Sequence, residues 1–205
     1  MTAVPSTTLE SIHKAAKAEF LAKGFKSASL RNIVKSVGMT TGAFYGYYNS
    51  KEELFSALVD EQYMTFMNKY REAQESFKRL SPVDQHDHMG DISGQCMDWM
   101  VDYVYNNFDA FKLLVCGSEG TKYEHMIHDM VEIEVESTRD FIEILRGLGL
   151  QVPNIDPSLE HILISGLFSG FFEMIKHDMQ REKALEFARE LRAFHMAGWR
   201  KIMGF

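Results

Sequence analysis

Residues 40–51 read Thr40-Thr41-Gly42-Ala43-Phe44-Tyr45-Gly46-Tyr47-Tyr48-Asn49-Ser50-Lys51. The threonine and tyrosine hydroxyls and the lysine ammonium in this run are donors of the kind that bond phosphate oxygens. Gly42 and Gly46 are poor helix formers, but their missing side chains let a short helix press close to another surface. Both features suit a short helix set into the major groove of a duplex. A connector whose tyrosines pack on the preceding helix fits the same residues. On either reading Phe44, and in part Tyr48, should face inward.

Other residues with chemical potential are scattered. Two cysteines, Cys96 and Cys116, make no disulfide framework, and nothing basic flanks either one to lower its pKa. His86 and His88 flank Asp87 in what reads as a polar loop, and His125 and His128 precede Asp129. The second pair could share a helix face, yet no Cys/His set has structural-zinc spacing, so neither a metal nor a cofactor is expected. Ser118, in Cys116-Gly117-Ser118-Glu119-Gly120, lacks the glycine two residues earlier that a hydrolase elbow requires. No phosphate-cradling glycine loop occurs either. The chain is not expected to be an enzyme.

The elements that must position the 40–51 run are marked by caps. Thr7 and Glu10 form a capping box, followed by Leu9, Ile12, Ala16 and Phe20 at helical spacing and by Gly24 as the stop. Ser29 is a natural N-cap for a second helix carrying Leu30, Ile33, Val34 and Val37. Gly38 breaks it, and Thr40 caps a third helix over residues 41–47. Two helices joined by three or four residues with a glycine have helix-turn-helix spacing. Asn49/Glu52 and Ser50/Glu53 then supply overlapping caps for a long fourth helix with Leu54, Leu58, Tyr63, Phe66, Met67 and Tyr70 on its apolar side. Lys51 in its first turn opposes the helix dipole. It makes sense beside a phosphate, which the free N–H groups there would also bind.

The remainder reads as helical too. One helix holds Ile92, Cys96, Trp99, Met100 and Tyr103, a short one runs from Asp109 to about Cys116, and a long one from Tyr123 to Arg146. Two more follow Pro153 and Pro157. The expected fold is all-α: a three-helix helix-turn-helix domain at 1–50, then a helical domain at 51–205, for which a family resemblance carried by the head implies ligand binding and dimerisation.

Bulk properties agree. Of 205 residues 45% are apolar, enough to fold. The longest apolar run, Ile162 to Ile175, is short for a membrane span and contains Ser165, Ser169 and Glu173. The start, MTAVPSTTLESIHK, lacks the form of a signal peptide, so a cytoplasmic protein with no membrane partner is expected. The net charge of −7 is uneven. Residues 1–51 hold seven Lys/Arg and two acids, a net +5, whereas residues 52–205 hold 15 basic and 27 acidic groups, a net −12. A basic head on an acidic body suits contact with a polyanion at one end only. The acidic body also argues against a non-specific nucleoid protein.

From Ile12 to Leu58 the residues resemble the DNA-binding domain of the TetR family of bacterial regulators. The shared pattern includes Phe20…Gly24-Phe25, Ser29-Leu30-Arg31-Asn32-Ile33, Val37-Gly38, Thr40-Thr41-Gly42-Ala43-Phe44-Tyr45 and Tyr47-Tyr48-Asn49-Ser50-Lys51-Glu52-Glu53-Leu54. The resemblance covers about the first quarter of the chain. It implies that Ser29 and Arg31 contact the DNA backbone or an adjacent base. It sets Thr40, Thr41, Gly42 and Ala43 at the major groove, and Tyr45, Tyr47 and Lys51 at phosphates. Gly46 stands where many members carry histidine or another larger side chain, so few side chains here can make bidentate base contacts. Specificity then falls to Arg31, thymine methyls and DNA shape.

The resemblance also implies a homodimer through the last two helices (about 158–203), a near-palindromic double-stranded operator, repression as the default, and release by a small-molecule effector. In the body, Ser165/Ser169 and Gly166/Gly170 would allow close backbone approach, between subunits or within one. Met97, Trp99, Met100, Tyr103, Phe111, Tyr123, Met126, Met130, Phe168 and Phe172 are candidates to line an effector cavity. Plain core packing suits these residues equally.

Overall fold

The computed structural model describes residues 7–204; the signal-peptide reading rests partly on residues 1–6, outside that range. Among the described residues there are ten helices and no strand. They are α1 (Thr8–Ser27), α2 (Leu30–Ser36), α3 (Thr41–Phe44), α4 (Lys51–Lys78), α5 (Pro82–Asp87), α6 (Asp91–Asn106), α7 (Phe108–Cys116), α8 (Met126–Gly147), α9 (Pro157–Lys176) and α10 (Arg181–Met203).

The chain packs as two units that differ from a division at residue 50. The head runs up to Met64 and takes in Asn107–Glu124; the body comprises Thr65–Asn106 and the chain from His125 onward. The added head segment was not visible locally, because what holds it is long-range. The Phe25 N–H donates to Gly117 O at 2.7 Å. Lys17 reaches Asp109 at 3.2 Å, and Lys26 reaches Glu119 at 2.7 Å. Gly24 turns the end of α1 at φ +69°, and a methyl on Gly117 would lie 3.6 Å from Gly24 Cα and 3.2 Å from Leu113 O. Two glycines therefore let α1 and the end of α7 meet backbone to backbone.

Within the head, Ile12, Ala16 and Phe20 of α1, Ile33 of α2, Phe44 of α3, and Leu54 and Phe55 of α4 are almost wholly buried. Phe55 meets Phe20 edge-on at 5.1 Å. Each of the buried Ile, Leu and Phe side chains contributes roughly 1.5–3 kcal/mol relative to exposure. Leu9, placed by its spacing on this stripe, is instead exposed. The caps form as their residues dictate. The Glu10 N–H donates to Thr7 Oγ1 at 3.2 Å, and the Thr7 N–H donates to Glu10 Oε2 at 2.8 Å. The Glu53 N–H donates to Ser50 Oγ at 3.0 Å, while Glu53 itself accepts from the Asn49 N–H at 2.7 Å.

In the body, Phe66, Tyr70 and Phe77 of α4 make ring contacts with Trp99 of α6, Phe168 and Phe172 of α9 and Phe141 of α8, and α10 packs on α6 and α9. The segment that reads as a polar loop around His86 is a helical turn, α5. Ser81 caps it, accepting from the Asp84 N–H at 3.2 Å, and Pro82 opens it. Helix α9 is long and apolar enough, by length and a mean hydropathy of 1.2, to cross a membrane, more so than its unbroken apolar run suggests. Its Phe168, Phe171 and Phe172 belong to the unit's core, and its buried Glu160 accepts from Arg139 of α8 at 2.8 Å. That is the behaviour of a core helix. Gly166 and Gly170 face α10 of the same chain, where a methyl on Gly170 would meet Leu191 at 3.3 Å.

Candidate functional site

The geometry of the head follows from its caps. Ser29 accepts from the Asn32 N–H at 3.4 Å to start α2, and Thr40 accepts from the Ala43 N–H at 3.1 Å to start α3. Glu19 of α1 ties the start of α2 to α1. Its Oε1 accepts from Lys23 Nζ at 2.8 Å, from the Ser29 N–H at 3.1 Å and from Asn32 Nδ2 at 3.3 Å. The Lys23 bond, then the Ser29 N–H, hold this carboxyl below the usual carboxylate range. Helix α3 is one turn long, and a tight turn follows it, with the Tyr47 N–H donating to Phe44 O at 2.8 Å.

Only Phe44 and Tyr48 of this segment turn inward, with Tyr48 bonded to His13 of α1. Burial pushes the His13 pKa down and the Tyr48 pKa up. Thr40, Thr41, Gly42, Ala43, Tyr45, Gly46 and Tyr47 are all exposed, with Tyr45 at 53% and Tyr47 at 46%. Arg31 is exposed beside them in sequence order on α2, and Ser29 is partly buried. Large aromatic side chains left in water on one short segment are unusual without a partner. Lys14, Arg31 and Lys35 make no ion pair among the described residues. Lys17, Lys23 and Lys26 are paired.

Lys51 is placed differently from the other candidates. Its ammonium turns back to the end of α1, donating to Phe25 O at 2.6 Å and Ala28 O at 3.0 Å, and lies 4.4 Å from the Phe25 ring centre. Burial lowers its pKa. The side chain closes the end of α1, sharing the Phe25 carbonyl with the Ala28 N–H at 3.3 Å.

A second feature lies within the body: a partly open cavity of about 150 Å³. Of the residues expected to line one, Met97, Met100 and Phe168 do so. Phe111 and Tyr123 instead belong to the head. Phe111 is buried in α7, and the Tyr123 hydroxyl donates to Asp60 Oδ1 at 2.7 Å. Trp99 stacks on Tyr103 at 4.8 Å, and Met126, Met130 and Phe172 are buried away from the cavity wall.

Sequence reasoning missed Tyr70, Gln74, Phe77, Glu134 and Trp199 as lining residues. One signal was available for Glu134. It stands three residues after Val131 and four before Thr138, inside the apolar register of α8. It was masked by the neighbouring glutamates 132 and 136. Its Oε2 accepts from the Tyr70 hydroxyl and from Gln74 Nε2, each at 2.6 Å. Burial raises its pKa against the pull of those two bonds. The same burial, then the carboxylate's charge, raises that of Tyr70.

No group of three or more His, Cys, Asp or Glu among the described residues could hold a metal ion. His86 instead contacts Asp87 at 2.8 Å, and His88 contacts Asp91 at 3.0 Å. Ser118 is buried, donating to Leu114 O at 2.7 Å.

Residues 12–58 match the profile of the bacterial regulatory proteins of the tetR family. Over 154 residues, covering 72% of this chain and 65% of the relative, the sequence is 27% identical to ArpR of Pseudomonas putida, a probable HTH-type transcriptional regulator. Over 63 residues, about 31% of this chain, it is 40% identical to YdgC of Bacillus subtilis (strain 168), an uncharacterized HTH-type regulator. The fold is shared with the crystal structure of a transcriptional regulator from Aquifex aeolicus VF5. The TM-score is 0.55 at 18% identity, with 92% of this chain and 99% of that one covered.

Proposed function

Because this chain belongs to the TetR family of helix-turn-helix transcriptional regulators, we propose that it represses transcription by binding a near-palindromic operator as a homodimer and leaves it on binding a small effector. The family is one of regulators and not of enzymes. The observation that carries the DNA reading is the segment from Thr40 to Tyr47, which the fold holds rigidly by Phe44 and Tyr48 while leaving every other residue exposed. Thr40, Thr41, Gly42 and Ala43 meet base edges, with Gly46 giving room. Arg31, Ser29, Tyr45 and Tyr47 hold the phosphates and the adjacent base. Lys51 contributes through the backbone N–H groups at the start of α4, its ammonium being used inside.

The dimer reading is supported by α9 and α10. Phe194 is 75% exposed and Ile162 63%. Leu159, Ile162, Gly166 and Ser169 fall on one side of α9, at spacings of three and four. Residue 166 of α9 lies against His195 of α10, next to Phe194. The two helices thus offer one apolar, small-residue face. A face of this kind, repeated by two-fold symmetry, makes a four-helix interface. The effector reading rests on the body cavity. Helix α4 is the covalent route, since its residues 51–64 belong to the head and Tyr70, Gln74 and Phe77 line the cavity. An effector acts only through the difference in its affinity for the two states, typically worth about 1–3 kcal/mol.

Selection of bound fragments from a pool of random duplexes, followed by sequencing, tests this function. The expected result is enrichment of a near-palindrome with half-site centres about 34 Å apart or somewhat more. Retention without any enriched sequence would mean a non-specific DNA protein, and no retention at low salt would remove the DNA reading.

A further inference from the structure

The body cavity is about the size that admits a single six-membered ring. Phe77, Phe168, Phe171, Trp199 and Met100 contribute to its wall, and no lysine, arginine or histidine lines it. Glu134 is the one carboxylate there. Tyr70 and Gln74 both donate to its Oε2, which fixes the group and leaves Oε1 without a partner among the described residues. Glu134 is half-buried, and a carboxylate partly withdrawn from water gains from pairing with a cation. The protein provides hydrogen bonds to it but no counter-charge. Tyr70 and Phe168, whose rings meet edge-on at 5.6 Å, add π faces that attract cations.

We propose that this cavity selects a small ligand with a ring-sized apolar body and a protonated amine, the ammonium bonding Glu134 and resting against the Tyr70 and Phe168 rings. The inference rests on the reading of the cavity as the effector site and adds the ligand's chemistry. An ammonium supplies the missing charge and a hydrogen bond to Oε1 together. A hydroxyl supplies only the second, and a carboxylate sets like charges side by side.

Calorimetric titration of the full chain with 2-phenylethylamine, 2-phenylethanol and 3-phenylpropionate tests this, since the three share a ring and differ in charge. The amine is expected to bind at least about tenfold more tightly than the alcohol, the difference between a charge-assisted and a neutral contact, with the acid weakest. In Glu134→Gln the amine should lose that margin while the alcohol binds as before. Equal binding of alcohol and amine, preference for the acid, a margin that survives Glu134→Gln, or no binding by any of the three would overturn the proposal. The wild-type series decides by itself if the variant does not fold. If the alcohol binds and weakens DNA affinity with no advantage for the amine, the effector reading stands and the charge selection falls.

Discussion

Gly42 has no left-handed φ, and a methyl group on it would come no closer than 3.9 Å to Thr40 Oγ1. The protein's own fold therefore does not require glycine there; a surface pressed against that backbone would. Gly42→Ala should keep or slightly raise thermal stability, because alanine is the better helix former by up to about 1 kcal/mol. It should weaken operator binding by about 1–3 kcal/mol, the usual cost of one spoiled contact. Loss of stability with unchanged DNA affinity would mean that Gly42 serves packing. The cysteines differ in the same residue-level way. Cys96 is buried, its thiol pushed up to about 11 chiefly by that burial, whereas Cys116 is exposed. Iodoacetamide on the native protein should modify Cys116 and spare Cys96, as read by mass spectrometry of the peptides.

At the scale of elements, the junction of α1 and α2 depends on Glu19. Its folded pKa is depressed, so its contribution to stability is present above the unfolded carboxylate pKa and is lost as pH falls through the folded value. Denaturant midpoints at neutral and mildly acidic pH should show a decline that Glu19→Gln reduces; an identical decline in the variant would place the acid sensitivity elsewhere. The helix starts were legible in the sequence because capping is local: Thr7 with Glu10, Ser29, Thr40 and Ser50 with Glu53 each act within three residues. What was not legible is what long-range contact decides. Lys51 looks like a phosphate ligand from its neighbours, yet its partners lie 26 and 23 residues away. Helix α5 was hidden because His86, Asp87 and His88 read as a polar loop until Gln85 is seen to be buried, donating to Leu80 O at 3.1 Å.

For the whole molecule, the all-helical fold class was legible from helical spacing and the helix-turn-helix of the head from a continuous 47-residue pattern. The cavity was only partly so. Aromatic and methionine residues at helical spacing fill a core and line a cavity alike, which is why Met100 and Phe168 reach the wall while Trp99, Met130 and Phe172 do not. The exposed face of α9 and α10 belongs to this scale as well. Phe194→Glu should yield a monomer in sedimentation while retaining helical content, because burying an unpaired carboxylate across a symmetric interface is costly twice over. A dimer that survives the substitution would put the interface elsewhere.

The proposed function requires this chain to read DNA sequence through two copies of one exposed segment. Fluorescence-anisotropy titration of the selected duplex beside a scrambled one of equal length, over a range of salt, tests it most directly. The expected result is two chains per duplex, a marked preference for the selected sequence, and an affinity that falls steeply as salt rises, because counterion release gains less into a saltier bulk. Equal affinity for both duplexes, or one chain per site with no salt dependence, would contradict it.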